Sequence, residues 1–286
     1  MAVLSENEWN FWRENGYVVI PNAVPQEQLD RTVEAIWWFL DMDPNDSNTW
    51  YKYKPHTRDD RCSPISGAGM VEMYQHQSLW DNRQHPRVYQ AFSEIWNEDK
   101  LWVSLDRANM KPPVRHDQPD WGHTGMIHWD LDTSRRPIEF GVQGVLFLTD
   151  TDENQGGFQC VPGFNNTFDE WVETQPEDRN PNAPDLTDLE VKSIPGKAGD
   201  LLIWHRLLAH GNGHNVSDKP RLAQYITMSP APKDADESRK ARVSSWRERT
   251  AMPGWPGDNR EWEQNCLKTA ELTALGKKLL GVDLWE

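Results

Sequence analysis

The sequence predicts a mainly β fold, a sandwich or barrel with helices packed outside it. Three observations lead there. From Leu101 to about Met228 the chain runs in short apolar segments punctuated by Gly, Pro, Asn and Asp, the pattern of short strands joined by turns. The first third and the tail from Lys233 carry apolar residues at helical spacing instead. A length of 286 residues, 37% of them hydrophobic, suffices for one domain with a sizeable core, which needs no disulfide or metal merely to hold together. The expected organisation is a single domain over 1–286: a helical part over about 1–100, a strand core over about 101–230 and a helical tail over about 233–286.

The elements follow in order. Ser5 and Glu8 form a capping box that opens a short helix, and Gly16 is placed to end it. Tyr17 to Ile20 is then an apolar strand. Pro25 starts a second helix, because Leu29, Val33, Ile36, Trp37 and Leu40 fall on one helical face. A third helix follows Pro86 with Val88, Phe92, Ile95 and Trp96 turned inward. Strands are expected in LWVSLDRANM, GMIHWDL, FGVQGVLFLTD, GFQCV, LEVKSI, DLLIW and RLAQYITM. The Pro-rich polar stretch Glu173 to Asp188 reads as a lid or a solvated loop. The tail is expected as two helical pieces around Pro253 to Gly257 (PGWPG).

Charge excludes some functions. The 30 Lys and Arg against 45 Asp and Glu leave a net charge of −15, and such a surface repels phosphate backbones and anionic headgroups, against nucleic-acid or membrane binding as the main task. Cys62, Cys160 and Cys266 are odd in number and form no CxxC pair, which argues against a disulfide framework and a thiolate zinc site. The first dozen residues carry two glutamates and no apolar core segment, and no stretch reaches the length of a membrane span. These features predict a cytoplasmic protein, in which the sequons at Asn165 and Asn215 mean nothing.

Six of the nine histidines fall in two clusters, His116, His123 and His128, then His205, His210 and His214. His128, Trp129 and Asp130 stand in an apolar run, and alternation on a strand would set the imidazole and carboxylate side by side while sending Trp129 away. Two histidines and one carboxylate leave half of an octahedral metal open, the facial arrangement of non-haem iron(II) oxygenases. A strand histidine bonded to a neighbouring Asp is the blander alternative. On spacing alone His205, His210 and His214 compete as the third ligand. Eleven residues beyond His210, Arg221 heads the apolar run RLAQYITM, where its guanidinium could hold a carboxylate through two parallel hydrogen bonds or pair with one of the chain's own acids.

The segments FWRENGYVVIPNAVPQEQLD, ANMKPP, IHWD, GVLFLTDTDENQGGFQCVPG and PGKAGDLLIWHRLLAHGNGHNVSDKPRLAQY together resemble the phytanoyl-CoA hydroxylase (PhyH-like) family of iron(II)- and 2-oxoglutarate-dependent oxygenases, which includes ectoine hydroxylase. The resemblance covers about Phe11 to Pro230. It implies a double-stranded β-helix, a cupin-like jelly roll, and the cofactors Fe(II), 2-oxoglutarate and O2. It makes His128, Asp130 and His210 the catalytic metal ligands, because the family's distal histidine directly precedes GxG, and Arg221 the clamp for the distal carboxylate of 2-oxoglutarate. Asn109 matches a cosubstrate-contacting position, and Asn212 stands where relatives often carry a serine. His205 is then left as a residue behind the ligands, His214 as surface, and His116 and His123 as part of a loop at the pocket mouth. Where the family shows a histidine in a PGSH-like segment, this chain has Asn165. Related halogenases lack the carboxylate ligand, so Asp130 favours hydroxylation or desaturation over halogenation.

The implied reaction is 2-oxoglutarate decarboxylation to succinate and CO2, coupled to hydroxylation of an unactivated C–H bond. If the strand from 101 to 110 is regular, Arg107, Asn109 and Lys111 share a face, and a substrate reading of Arg107 and Lys111 points to a small polar or anionic molecule. Pairing of Arg107 with Asp106 or another acid is the equal alternative. Acyl-CoA is disfavoured, because its phosphates need a basic platform. Two other classes stay open: a zinc-type hydrolase or isomerase on the same ligands, and a non-catalytic binding protein on the same barrel.

Overall fold

The computed structural model describes residues 2–57, 63–122 and 125–286. Ser5 accepts the Glu8 N–H, the Glu8 carboxylate accepts the Ser5 N–H at 2.6 Å, and helix α1 (Glu6–Asn15) ends at Gly16 with φ 72°. Strand β1 (Tyr17–Ile20) leads to α2 (Gln26–Leu40), whose Leu29, Ile36, Trp37 and Leu40 are buried. The short strand β2 (Met70–Val71) and α3 (Gln77–Arg83) precede α4 (Pro86–Trp96), which begins on its proline and buries Val88, Phe92 and Ile95.

The strand region comprises β3 (Leu101–Val103), β4 (Ala108–Lys111), β5 (Val142–Phe147) and β6 (Phe158–Cys160), then, after helix α5 (Phe164–Glu173), β7 (Lys192–Ser193), β8 (Leu201–His205), β9 (His210–Asn212), β10 (Arg221–Tyr225) and β11 (Met228–Pro230). Helices α6 (Asp236–Glu248), α7 (Trp262–Cys266) and α8 (Ala274–Leu280) form the tail. One antiparallel sheet has the order β1-β8-β5-β10-β4-β2, a second β7-β6-β9, and β11 pairs with β3. This is the jelly-roll, cupin-like architecture, mainly antiparallel sheet with helices outside.

Both faces of the large sheet are covered, and alternation decides which side chains reach the site. Val18, Leu146, Ile203 and Leu222 join the core shared with α2 and α4, while Tyr17, Val145, Phe147, Leu202, Trp204 and Ala223 belong to a second core shared with β6 and α5. Gln143, on the same face of β5 as Val145, and Arg221 and Tyr225, on the same face of β10 as Ala223, therefore turn toward the second sheet. β10 lies beside β4 with Arg221 opposite Lys111 and Ala223 opposite Asn109.

Four expectations change. LWVSLDRANM is not one strand: β3 pairs with β11 and β4 with β10, so residues 104–107 turn between sheets. GMIHWDL forms no strand but an isolated antiparallel bridge, His128 opposite His210. The N-terminal third gives the large sheet not only the expected strand β1 but a second short strand, β2, besides its helices. The tail has one helix before PGWPG and two after it, with extended backbone at Leu267 closing α7. The stretch 173–188, expected as a lid or a solvated loop, is largely exposed irregular chain after α5; among the described residues it contributes nothing to the lining of the large cavity, and at 181–182 it straps the HxD segment from behind. Pro181 O accepts the Thr133 N–H at 3.0 Å, Asn182 O the Trp129 N–H at 2.8 Å, and Asn182 Nδ2 donates to Leu131 O at 3.0 Å. Among the described residues no helix is long and apolar enough to cross a membrane. Cys160 and Cys266 are free thiols, and Cys62 lies outside the described residues.

Candidate metal centre

His128, Asp130 and His210 converge, with one potential ligand atom from each all within 4.8 Å of one another. His128 and His210 exchange both backbone hydrogen bonds, at 2.8 and 3.0 Å, which brings their rings to 4.9 Å. Each ring then turns its Nδ1 to a backbone carbonyl two residues earlier, His128 to Met126 O at 2.7 Å and His210 to Leu208 O at 2.9 Å. A carbonyl only accepts, so Nδ1 carries the proton and Nε2 keeps its lone pair for a metal. Both Nε2 atoms face Asp130, His128 at 3.2 Å from Oδ1 and His210 at 3.5 Å from Oδ2. Gln143 Nε2 donates to Asp130 Oδ2 at 2.7 Å.

Charge is set accordingly. Without a metal, and with the rings protonated on Nε2 as well, hydrogen bonds from His128 and then His210 hold the Asp130 carboxyl well below the usual carboxylate range. The bond to Asp130 raises the His128 imidazole against the opposing effect of burial. His210 stacks on Phe158 and packs on Trp204, so its face of the site is dry. Trp129 turns away, as alternation requires, packing at 5.5–5.9 Å on Phe164, Phe168 and Trp171 and donating to Leu207 O.

The glycines of the HGNG turn have a steric reason. A Cβ at Gly211 would lie 2.3 Å from Met126 O, and one at Gly213 would meet the Gln159 side chain at 2.8 Å. Gly211 thus lets the segment that carries His128 lie against the strand that carries His210.

Arg221 is fully buried. Its Nη1 donates to Asn109 Oδ1 at 3.0 Å, and Asn109 Nδ2 donates in turn to Ala68 O. Arg221 Nε and Nη2 have no partner among the described residues. A buried guanidinium with unpaired N–H groups is costly unless an anion completes it, and this is the feature that fits the chain to a dicarboxylate cosubstrate. Asn212, from the turn, donates to Tyr225 Oη at 3.0 Å and lines the same cavity as the metal residues.

The remaining expected residues are placed as follows. Arg107 lines the cavity, but its Nη1 donates to both carboxylate oxygens of buried Glu72, at 2.9 and 3.1 Å. Lys111, expected at the substrate, instead donates its buried ammonium to Gly213 O at 2.6 Å, pinning the HGNG turn, and is not among the residues lining the cavity. Burial and then the nearby Arg221 charge bring it down to about 8. His205 accepts the Leu207 N–H, and burial pushes it down to about 4. His116 and His214 are exposed and His123 lies outside the described residues. Asn165 is the second residue of α5 and donates to Asn166 Oδ1 at 2.9 Å.

The cavity in front of the metal residues has a volume of about 550 Å³, within the usual range for small-molecule sites. Gln143, Tyr225, Trp204 and Trp255 line it without having been singled out in the sequence. Gln143 was within reach of sequence reasoning, as the polar residue at an inward position of FGVQGVLF. Trp255 was not, since nothing local links PGWPG to the sheet.

The fold and the His, Asp, His centre are those of a non-haem iron(II)- and 2-oxoglutarate-dependent oxygenase. The chain belongs to the phytanoyl-CoA dioxygenase (PhyH) family, whose model matches residues 12–223. It is 26% identical over 265 residues to a Dictyostelium discoideum protein assigned as a phytanoyl-CoA dioxygenase, covering 78% of this chain and 75% of that one. It is also 26% identical over 159 residues to the ectoine dioxygenase of Bordetella bronchiseptica, half of each chain (50% and 51%). Similar solved structures include GIG2 of Candida albicans, with TM-score 0.69 and 14% identity over 99% of this chain and 77% of that one. Another is the non-haem α-ketoglutarate-dependent carbocyclase SnoK of nogalamycin biosynthesis, with TM-score 0.52 and 20% identity over 82% and 90%. At these identities the structures speak for the fold.

Proposed function

We propose that the protein hydroxylates an unactivated C–H bond of a small polar molecule, with release of succinate and CO2. On this reading His128 Nε2, Asp130 and His210 Nε2 hold iron(II), and Arg221 takes the distal carboxylate of 2-oxoglutarate, with Asn109 fixing the guanidinium and Asn212 beside it. The bound metal and cosubstrate supply the oxidising chemistry that no side chain can. The chain's own residues fix the imidazole tautomers, orient the carboxylate through Gln143, and keep the His210 side dry with Phe158 and Trp204. The observation that carries the reading is the buried Arg221 with two unpaired nitrogens, which a zinc-type hydrolase or a binding protein leaves without a purpose. The anionic half of the substrate expectation rested on Arg107 and Lys111, which are committed to Glu72 and to Gly213 O, so the polar half is retained. The same reading takes 1–286 as one oxygenase domain acting in the cytoplasm on a small molecule.

The test is anaerobic loading with iron(II) and then 2-oxoglutarate, followed in the visible spectrum. A charge-transfer band in the wild type that is lost, or needs far more 2-oxoglutarate, in Arg221→Ala supports metal, cosubstrate and clamp together. Bound metal without a band would turn the reading to a hydrolase or binding protein.

A further inference from the structure

Apart from the metal ligands, the cavity has a charge pattern of its own. Asp106 lines it and keeps 25% of its side-chain surface accessible. The guanidinium beside it is committed elsewhere: Arg107 donates to both oxygens of Glu72 and lies over Trp255 and Tyr74, 4.7 and 5.8 Å from the ring centres. Its Nε comes no nearer than 3.5 Å to Asp106 and makes no hydrogen bond. Arg83 gives its Nη atoms to the backbone carbonyls of Tyr74 and Asp106. Glu72, which also bonds His56 and Tyr74, takes the hydrogen bonds of the Arg107 guanidinium, and Asp106 is left with a longer ion pair to it at 3.5 Å and with the charge of Arg83.

Asp106 accepts the Arg107 N–H at 2.7 Å, and burial drives its carboxyl above the usual range, which Arg107 and then Arg83 offset only in part. A second acceptor stands in the same cavity. The Gln143 amide must turn its NH2 to Asp130, which leaves Oε1 buried without a partner among the described residues. One unpaired donor, Trp204 Nε1, also borders the cavity, on the His210 side. An anion would meet the Asp106 carboxylate with no uncommitted cation among the residues that line the cavity. An ammonium would find a carboxylate short of a counter-charge and aromatic walls that attract cations.

We infer that the substrate is a small amine, its protonated nitrogen received by Asp106, with Gln143 Oε1 as a further acceptor in the cavity. This rests on the oxygenase reading above and names the substrate class for it.

Three probes of one shape and different charge test it: cyclohexylamine, cyclohexanol and cyclohexanecarboxylate, titrated calorimetrically into protein loaded anaerobically with iron(II) and 2-oxoglutarate. Loading is verified by the charge-transfer band. The amine is expected to bind at least tenfold tighter than either other probe. That preference disappears in Asp106→Asn and survives in Asp106→Glu, while the 2-oxoglutarate affinity of both variants stays at the wild-type value and shows the fold intact. Equal affinities, a preference for the carboxylate, or an amine preference kept by Asp106→Asn overturns the amine while leaving the oxygenase reading standing. A wild type that forms no band overturns the oxygenase reading and the amine with it.

Discussion

Arg221 Nη1 lies 3.0 Å from Asn109 Oδ1 across the β10–β4 pair, and that single bond is the guanidinium's one side-chain hydrogen bond among the described residues. The cosubstrate-free protein thus carries unsatisfied buried donors, each worth about 1–3 kcal/mol. Arg221→Met should therefore leave the thermal midpoint of the cosubstrate-free protein unchanged or higher, by up to about 2 kcal/mol of stability. Added 2-oxoglutarate should raise the midpoint of the iron-loaded wild type and not that of the variant. Differential scanning fluorimetry reads both, and a variant still stabilised by 2-oxoglutarate would remove Arg221 from the clamp.

Gln143→Leu keeps the volume of the side chain and deletes the donor to Asp130 Oδ2. Residues that orient a metal ligand are commonly worth about 10–100-fold in metal affinity. Equilibrium dialysis should show iron(II) binding weakened by that order, with the melting midpoint of the metal-free protein little changed.

Gly211→Ala brings a methyl to 2.3 Å from Met126 O, and Met126 O is what holds the His128 ring. The methyl must push the two ligand-bearing segments apart. Iron(II) affinity is expected to fall at least about tenfold, and the loss should not be matched by Gly254→Ala, where nothing lies within 4 Å of the added Cβ. Gly254 has φ 87°, so that control tests backbone strain without a clash at the metal.

The pH dependence follows from His128 and Asp130. The raised imidazole contributes stability that is complete below about pH 6.5 and lost as pH rises through its folded value. The depressed carboxyl contributes stability present above about pH 3.9 and lost as pH falls through its folded value. The metal-free protein should gain from this pair between about pH 4 and 6.5, and the difference in midpoint between wild type and Asp130→Asn should narrow above that. Iron needs the neutral imidazole, so metal affinity should climb over the same rise in pH, with proton release seen in calorimetry in buffers of different ionisation enthalpy.

Spacing alone left His205, His210 and His214 in competition and HxD with a blander use; the family resemblance chose His128, Asp130 and His210, and these are the three that converge in the structure. Capping at Ser5 and Gly16 and the helical stripe of α2 were legible because their parts are local. The partners of charged side chains were not. Arg107 and Glu72 lie on different segments, and Lys111 meets Gly213 across the fold, so pairing set by sheet register is invisible until β4 and β10 are side by side. Strand length failed similarly: LWVSLDRANM has no Gly or Pro to interrupt it, but pairing with β11 at one end and β10 at the other breaks it at 104–107. The strap at 181–182 reads as a loop because its bonds are made by backbone groups and one asparagine.

His128 and His210, distant in the sequence, are each other's bridge partners. Closing so long a loop is entropically expensive and comes late relative to local structure. The three side chains therefore share one place only after the segments that carry His128 and His210 have paired, so a chain cut short before His210 has no such site.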